Sequence, residues 1–269
     1  MTIQSLGPPS TAAPPENYEH YFVPAIGLPV ARTLIGAAAL RLGERVLDVG
    51  CGTGVVARLA AEEVGSGGTV AGLDPTPGML AVAASAVPSG LEIEWHQASA
   101  ESMPLPDGSF DVVLCQMAFQ FVPDRARALR EMRRVLVDGG RIALNVPGPA
   151  APLFEILDDA MARHIGNQAA GFVRTVFALH DESELRVLFG DAGFRDIAVT
   201  AELHDLRLPA PADFLRQYIW STPLAAVVSE ASEEARSALE REVVPAWQRF
   251  GGGDGMRYRQ RVVTATARR

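Results

Sequence analysis

The sequence feature that most constrains the fold is the segment 46–54, which reads VLDVGCGTG. An apolar strand pattern runs into three glycines spaced two residues apart, and an apolar helical pattern begins at Val55. A strand that turns through glycines into a helix N-terminus brings its backbone amides close to a ligand. The segment therefore predicts an α/β fold with a nucleoside-binding turn after its first strand.

Two details of this turn indicate which nucleoside it binds. The dinucleotide fingerprint G-x-G-x-x-G requires a third glycine at position 55, where the chain has Val55. Asp48 stands two residues before Gly50, and a carboxylate there repels a pyrophosphate but suits a ligand with ammonium and sulfonium charges. S-adenosylmethionine is such a ligand. A nucleotide-dependent oxidoreductase, which shares the sheet, is the weaker alternative.

Composition excludes several classes of function. The chain has 269 residues, of which 48% are apolar, and this is enough to fill the core of one substantial domain. Its net charge of −8 argues against nucleic-acid binding, which requires concentrated positive charge. All 24 basic residues are arginine, which excludes pyridoxal-phosphate and Walker A chemistry because both require a lysine.

The sequence indicates no metal site, no disulfide framework and no membrane segment. The five histidines lack metal-ligand spacing, and the two cysteines, Cys51 and Cys115, each fall at a predicted strand end. Neither a secretory signal nor an uninterrupted apolar run long enough to span a membrane is evident. We therefore expect a cytoplasmic protein, either a monomer or a homodimer.

Strand and helix patterns alternate along the chain. This alternation predicts a doubly wound, mostly parallel sheet, whose carboxyl strand ends form the ligand-binding edge. We predict seven strands, at 45–49, 69–73, 91–95, 111–115, 141–146, 195–201 and 257–265, and helices that include 55–64, 78–86 and 125–136.

The remaining segments predict the domain organisation. Residues 1–15 are rich in Pro, Ser, Thr and Ala, and we expect a disordered tail there. Residues 16–265 are predicted to form a single domain whose N-terminal helices, 16–42, cover the cofactor. Two mostly helical insertions, at about 148–180 and 205–250, leave the sheet near strand carboxyl ends. They are therefore candidates for a lid over a substrate.

Four further phrases occur in order after the glycine turn: GLD at 72–74, ASAE at 98–101, LPDGSFD at 105–111, and RRVL at 133–136 leading into GGR. With these phrases the chain resembles the class I S-adenosylmethionine-dependent methyltransferases, close to the group that methylates ubiquinone and menaquinone precursors. The resemblance implies a Rossmann-like methyltransferase sheet with an antiparallel last strand. It also implies methyl transfer to a small organic molecule.

The resemblance assigns cofactor contacts to the first two strand ends. Asp74 is expected to accept both ribose hydroxyls, and Asp48 to organise the glycine turn and face the cationic end of the cofactor. The turn itself lets backbone approach the methionine part of the cofactor. Its candidate residues are Gly50, Cys51, Gly52, Thr53 and Gly54.

The adenine contacts depart from the family pattern at one position. Ser99 stands where the family more usually has an aspartate, so the adenine contact is expected to rest partly on the backbone amide of Ala100. The candidates around the base and the crevice are Ser99, Ala100, Glu101, Pro75, Met79 and Gln116, of which Met79 could equally fill the core.

The sequence leaves the acceptor atom open. The sulfonium methyl is already activated, so in-line displacement needs alignment in a dry pocket more than covalent help. An oxygen or nitrogen acceptor needs a base, for which His164, His180 and Tyr21 are candidates. A carbon acceptor would need a developing positive charge stabilised, for example by Trp220 or Phe119. A non-catalytic S-adenosylmethionine-binding protein is the remaining alternative.

Overall fold

The computed structural model describes residues 6–8, 13–252 and 255–269. Within these residues, one sheet contains eight strands in the order β3-β2-β1-β4-β5-β8-β6, with the two-residue β7 paired to β8. The strands are β1 (Arg45–Val49), β2 (Thr69–Asp74), β3 (Glu94–Gln97), β4 (Phe110–Gln116), β5 (Leu136–Pro147), β6 (Arg195–Leu208), β7 (Gly251–Gly252) and β8 (Gly255–Arg268).

The sheet has the predicted mostly parallel topology. Strands β1 to β5 pair in parallel, and β8 pairs antiparallel to β5. Parallel pairing requires crossover connections, and helices supply them. The predicted fold class, a doubly wound mostly parallel sheet with an antiparallel last strand, is confirmed.

The predicted strand starts are correct for β1, β2 and β6 and differ for the other predicted strands, most of all for β3 and β5. Strand β6 continues to Leu208, beyond its predicted end at residue 201, and the short strand β7 was not predicted. Strand β3 begins at Glu94 and not at residue 91, because this edge strand pairs only with β2, starting opposite Ala71. Strand β5 begins at Leu136, so the predicted Gly139-Gly140 turn lies inside the strand. A register shift between Phe110 and Val112 of β4 accommodates the extra residues.

Helices cover both faces of the sheet. On one face, α2 packs on β4 and β5 while α3 packs on β1 and β2, and on the other α5 packs on β5 and on α8. The helices are α1 (Pro14–Asn17), α2 (Leu28–Ala38), α3 (Val55–Val64), α4 (Pro77–Ser85), α5 (Arg125–Val135), α6 (Pro152–His164), α7 (Asn167–Val176), α8 (Glu182–Asp191), α9 (Pro211–Trp220), α10 (Leu224–Glu230) and α11 (Glu233–Trp247).

The chain divides into two compact units. Unit 1 comprises Met1–Ile26, Pro149–Ala178 and Leu203–Gln260, and unit 2 comprises Gly27–Gly148, Leu179–Glu202 and Arg261–Arg269. Unit 2 contains β1 to β5. Unit 1 has an aromatic core in which the ring centroids of Phe154 and Tyr218 lie 5.1 Å apart. The Trp247 indole N–H donates a 2.9 Å hydrogen bond to the Leu153 carbonyl. The predicted insertions fall largely in unit 1, and their role as a lid stays a prediction.

The N-terminal segment contains a helix with an unusual central portion. A π-helix, Tyr18–Gly27, with Pro24 inside it, connects α1 to α2. By length and composition alone, Pro14–Ala38 could cross a membrane, a test that buried core helices of soluble proteins also pass. Of the predicted tail, residues 1–5 and 9–12 lie outside the described part of the chain, Leu6 is buried, and the helix already begins at Pro14.

Candidate cofactor site

The glycine turn after β1 adopts backbone conformations that favour glycine. Gly50, Gly52 and Gly54 have φ of 69°, 53° and 83°. The Gly50 amide donates a 2.7 Å hydrogen bond to the Leu73 carbonyl at the end of β2. A Cβ at Gly50 would also collide with the Cβ of Ala118. The sequence pattern GxGxG therefore reflects both left-handed backbone and close packing against the segment after β4.

Asp74 ends β2 with its carboxylate against this turn. Its Oδ2 accepts a 2.9 Å hydrogen bond from the Gly52 amide, and its Oδ1 accepts one of 2.9 Å from the Thr76 amide. Each oxygen of an ionised carboxylate has capacity for a second hydrogen bond. The fixed carboxylate can therefore accept two further donors, as a ribose diol would present.

Asp48 is a buried carboxylate beneath the turn. It is 1% exposed, and its Oδ2 accepts a 3.0 Å hydrogen bond from the Ala57 amide in α3. Its Oδ1 has no hydrogen-bond partner in the described structure. Burial raises the pKa of Asp48 to about 7, opposed by the Ala57 amide and reinforced by the charge of Asp74. A cation bound nearby would compensate this carboxylate.

A cavity of about 660 Å³ opens at this edge of unit 2. Its volume is in the range of small-molecule sites. Six of the predicted cofactor residues line it, namely Gly50, Asp74, Pro75, Ser99, Ala100 and Glu101. The structure thus brings together residues from the ends of β1 and β2 and from the segment after β3.

Most of the residues that line the cavity were not predicted from the sequence, and two of them carry large side chains. Phe121 and Arg127 follow β4, in a 3₁₀ turn and in α5 respectively, and both line the cavity. Phe121 is 44% exposed, which is high for a large apolar side chain. Exposure is a tertiary property, so no pattern in the sequence distinguished Phe121 from its buried neighbour Phe119.

Trp95 of β3 is a further residue near the glycine turn that the sequence analysis did not identify. A Cβ at Gly54 would lie 2.6 Å from its indole, and a Cβ at Gly72 in β2 would collide with it. The indole therefore packs where these two glycines leave room, against the glycine turn. The available signal was Gly72, a glycine inside an otherwise apolar strand.

The other seven predicted cofactor residues are not among those that line the cavity: Asp48, Cys51, Gly52, Thr53, Gly54, Met79 and Gln116. Cys51 and Thr53 are buried in the turn, and burial raises the pKa of the Cys51 thiol. Met79 is half-buried in α4. Gln116 donates a 3.0 Å hydrogen bond from Nε2 to the Gly27 carbonyl, and its buried Oε1 has no partner in the described structure. Their contacts with a cofactor stay predictions.

The three candidate bases lie in different units. In unit 1, His164 Nε2 lies 2.7 Å from Glu242 Oε2, and Arg163 pairs with the other oxygen of Glu242 at 2.6 Å. Tyr21, also in unit 1, packs edge-on against His20. His180, in unit 2, is half-buried. The catalytic role of the three candidates stays a prediction.

The donors and acceptors present fit S-adenosylmethionine. The buried unpartnered atoms of Asp48 and Gln116 are both acceptors, which suits a ligand bearing ammonium and sulfonium charges and not a phosphate. Within the described residues, no group of three or more His, Cys, Asp or Glu side chains is arranged to hold a metal ion.

Comparisons with known proteins agree with this fit. Residues 47–144 match a methyltransferase domain family. Nocamycin O-methyltransferase of Saccharothrix syringae is 33% identical over 232 residues, covering 80% of this chain and 82% of that protein. Demethylmenaquinone methyltransferase of Staphylococcus epidermidis is 34% identical over 169 residues, covering 58% and 70%.

A solved structure shares the fold. Phosphoethanolamine N-methyltransferase 2 of Haemonchus contortus, in complex with S-adenosyl-L-methionine, superposes with a TM-score of 0.56 at 20% identity. The superposition covers 89% of this chain and 52% of that one. The chain therefore belongs to the class I S-adenosylmethionine-dependent methyltransferases and transfers the methyl group of that cofactor to a small organic acceptor.

Proposed function

We propose that the acceptor atom is an oxygen, on a hydroxylated small molecule of bacterial specialised or quinone-type metabolism. One relative, which matches 80% of this chain and 82% of its own length, is named nocamycin O-methyltransferase. A second relative is named for demethylmenaquinone. Both names denote small organic acceptors. The cytoplasmic location, the lack of nucleic-acid and membrane partners, and the monomer or homodimer state stay predictions.

The observation that carries the cofactor site is the carboxylate of Asp74. It lines the cavity, is 8% exposed, and is held in place by the amides of Gly52 and Thr76. We propose that its two oxygens accept the ribose hydroxyls. Because two amides fix the carboxylate before a ligand arrives, little conformational entropy is lost on binding.

We propose that the rest of the nucleoside lies along the same cavity edge. Ser99, Ala100 and Glu101 would contact the adenine, and Pro75 and Met79 would pack against it; all of these except Met79 line the cavity. The glycine turn would receive the methionine part, and the unpartnered oxygens of Asp48 and Gln116 would face its cationic groups. The list of proposed contacts is Asp48, Gly50, Cys51, Gly52, Thr53, Gly54, Asp74, Pro75, Met79, Ser99, Ala100, Glu101 and Gln116.

The chemistry asks little of the protein beyond placement. When bound, the cofactor supplies a methyl group already activated on a sulfonium. The chain's own residues bind and orient the two molecules and exclude water. A hydroxyl acceptor also needs a group to take its proton, and His164, His180 and Tyr21 remain the proposed candidates for that base.

The proposed cofactor site is tested by titration calorimetry of S-adenosylhomocysteine into wild-type protein and the variant Asp74→Asn. The asparagine side chain has one acceptor oxygen, and its NH₂ group would face either the Gly52 or the Thr76 amide. The variant therefore loses one of the two hydrogen bonds that the Asp74 carboxylate accepts. We expect affinity to fall roughly 10- to 100-fold. Asp138→Asn, at a 99% exposed carboxylate, is the matched control and should bind normally.

NAD is the second arm of the experiment. The oxidoreductase alternative requires that NAD bind at least as well as S-adenosylhomocysteine, whereas the proposal expects no measurable heat with NAD. Unchanged affinity of Asp74→Asn for S-adenosylhomocysteine would remove Asp74 from the site.

A further inference from the structure

Asn145 lies on β5 in a row of polar residues that crosses three strands. It pairs in register with Gln116 of β4 and with Thr264 of β8. Its side chain is fully buried among apolar residues of the strand, since its exposure is 0%. Burying an amide in a sheet is unfavourable unless the amide makes specific hydrogen bonds. Asn145 Nδ2 has no hydrogen-bond partner in the described structure, so the contact made by its Oδ1 is the one that needs an explanation.

The Asn145 side chain holds the residue that follows β4. Its Oδ1 accepts a 3.2 Å hydrogen bond from the amide of Met117, and its backbone carbonyl accepts from the same amide at 2.9 Å. Met117 has a φ of 46°, a left-handed conformation that side-chain-bearing residues rarely adopt. Such a conformation persists where the surroundings over-determine it. Here, Asn145 supplies both acceptors.

The left-handed residue sets the path of the chain into the cofactor cavity. Ala118, the next residue, is the one whose Cβ occupies the space above Gly50. The Phe121 amide donates a 3.0 Å hydrogen bond to the Ala118 carbonyl. Both Ala118 and Phe121 line the cavity. The contacts thus run without a gap from Asn145 through Met117 to the cavity wall and the glycine turn.

We propose that Asn145 is a positioning residue for the cofactor: its carboxamide fixes Met117 in the left-handed conformation and so places Ala118 against Gly50 and Phe121 in the cavity wall. Asn145 acts through Met117. The inference rests on the proposed cofactor site, because a positioned wall matters only if the nucleoside binds there.

The test is calorimetric titration of S-adenosylhomocysteine into Asn145→Leu, in which a side chain of similar size lacks the acceptor. The Met117 amide keeps the Asn145 backbone carbonyl as an acceptor, so the variant loses only the side-chain branch of a shared hydrogen bond. We expect the dissociation constant to rise about three- to fivefold. Asn145→Ser, whose hydroxyl is too short to replace the carboxamide, serves as a second variant if the leucine variant does not fold. Far-ultraviolet circular dichroism establishes folding at the titration temperature.

A rescue experiment separates positioning from general stability. Glycine adopts positive φ without strain, so Met117→Gly should hold the turn with less help from Asn145. We expect the double variant Asn145→Leu/Met117→Gly to bind within about twofold of Met117→Gly alone. Thr264→Val is the matched control, since it alters the in-register polar neighbour of Asn145 and is expected to leave the dissociation constant unchanged.

Each outcome decides the inference. Tight binding by Asn145→Leu, or weak binding that Met117→Gly does not restore, overturns it. If the dissociation constant rises as much for Thr264→Val as for Asn145→Leu, the inference is also overturned. Loss of any polar side chain in the row would then be enough to weaken binding. Failure of the wild-type protein to bind S-adenosylhomocysteine would instead overturn the proposed cofactor site. The two failures are therefore distinguishable.

Discussion

A single buried carboxylate, that of Asp48, shows how the site opposes stability. The side chain belongs to a central strand, yet one of its oxygens has no partner in the described structure and burial raises its pKa to about 7. Groups that destabilise a fold in this way cluster at functional sites, which agrees with the proposed contact between Asp48 and a cationic ligand. A residue of this kind predicts function from physical chemistry alone.

The variant Asp48→Asn tests this reading through the pH dependence of unfolding. Between pH 3.8 and about 7 the folded protein keeps a proton that the unfolded chain has lost, so the free energy of unfolding falls as pH rises. Asparagine does not titrate and its oxygen can still accept from Ala57. We expect the free energy of unfolding of the variant, relative to that of the wild type, to increase by on the order of 4 kcal/mol from pH 4 to pH 8.

Urea denaturation at the two ends of this pH range provides the measurement. Asp205→Asn, at an 82% exposed carboxylate, is the control and should follow the wild-type pH profile. Identical pH profiles for Asp48→Asn and the wild type would show that Asp48 titrates normally.

At the scale of elements, the RRVL phrase at the end of α5 has a structural explanation. Arg134 bonds Glu131 from Nε at 2.7 Å, Asp107 from Nη1 at 2.6 Å, and the Met103 carbonyl from Nη2 at 3.1 Å. The side-chain hydrogen bond from Arg134 holds the pKa of Glu131 below its usual range. One guanidinium therefore connects the loop that follows the ASAE phrase at 98–101 to helix α5.

Arg134→Lys is expected to destabilise the protein by about 2 kcal/mol, because a single ammonium cannot replace a planar fork of donors. Urea denaturation measures the loss, and hydrogen exchange should show faster exchange of the Met103 amide, which donates to Glu131. Arg130→Lys changes an exposed arginine on the same helix and should be neutral within about 0.5 kcal/mol. Equal stability of the two lysine variants would show that the hydrogen bonds of Arg134 do not stabilise the fold.

For the whole molecule, the net negative charge disfavours polyanionic acceptors. The chain carries 32 acidic and 24 basic residues, giving a net charge of −8 and a calculated isoelectric point near 5.2. The field of such a molecule repels polyanions. A small hydroxylated acceptor meets no such barrier.

We therefore expect label from methyl-labelled S-adenosylmethionine to pass to phenolic or enolic acceptors and not to transfer RNA or DNA. A panel of hydroxylated quinones and aromatic polyketides, read by mass spectrometry, would locate the added methyl on oxygen. Asp74→Asn is the negative control for the same panel. Label in nucleic acid, or a product methylated at carbon, would contradict the proposed acceptor.

Local pattern was sufficient for much of the fold. Strand β1 and helix α3 begin and end where their sequence patterns predicted, because an apolar run bounded by glycines or polar residues leaves little alternative. The start of β3, the length of β5 and the end of β6 were predicted wrongly, and β7 was not predicted. Their ends depend on which residues of the neighbouring strands remain unpaired, and no local pattern contains that information.

The same division holds for the candidate site. Asp74 could be predicted because its place at a strand end follows from the strand itself. Asn145 and Phe121 could not be predicted, because the contact of Asn145 with Met117 and the place of Phe121 in the cavity wall depend on the folded structure. For Trp95 the only signal was Gly72, the glycine in β2 that leaves room for its indole. For His164, the structure adds the contact with Glu242, which lies 78 residues away.

By itself the sequence determined the strand–turn–helix unit, and its five ordered phrases indicated the family and the cofactor, since glycine conformation and a strand-end carboxylate are properties of short segments. Tertiary structure alone decided which residues form the wall of the cavity and which buried polar atoms lack partners. The physical reason is that burial and hydrogen-bond satisfaction depend on surfaces from several elements meeting, whereas backbone conformation is governed largely by neighbouring residues.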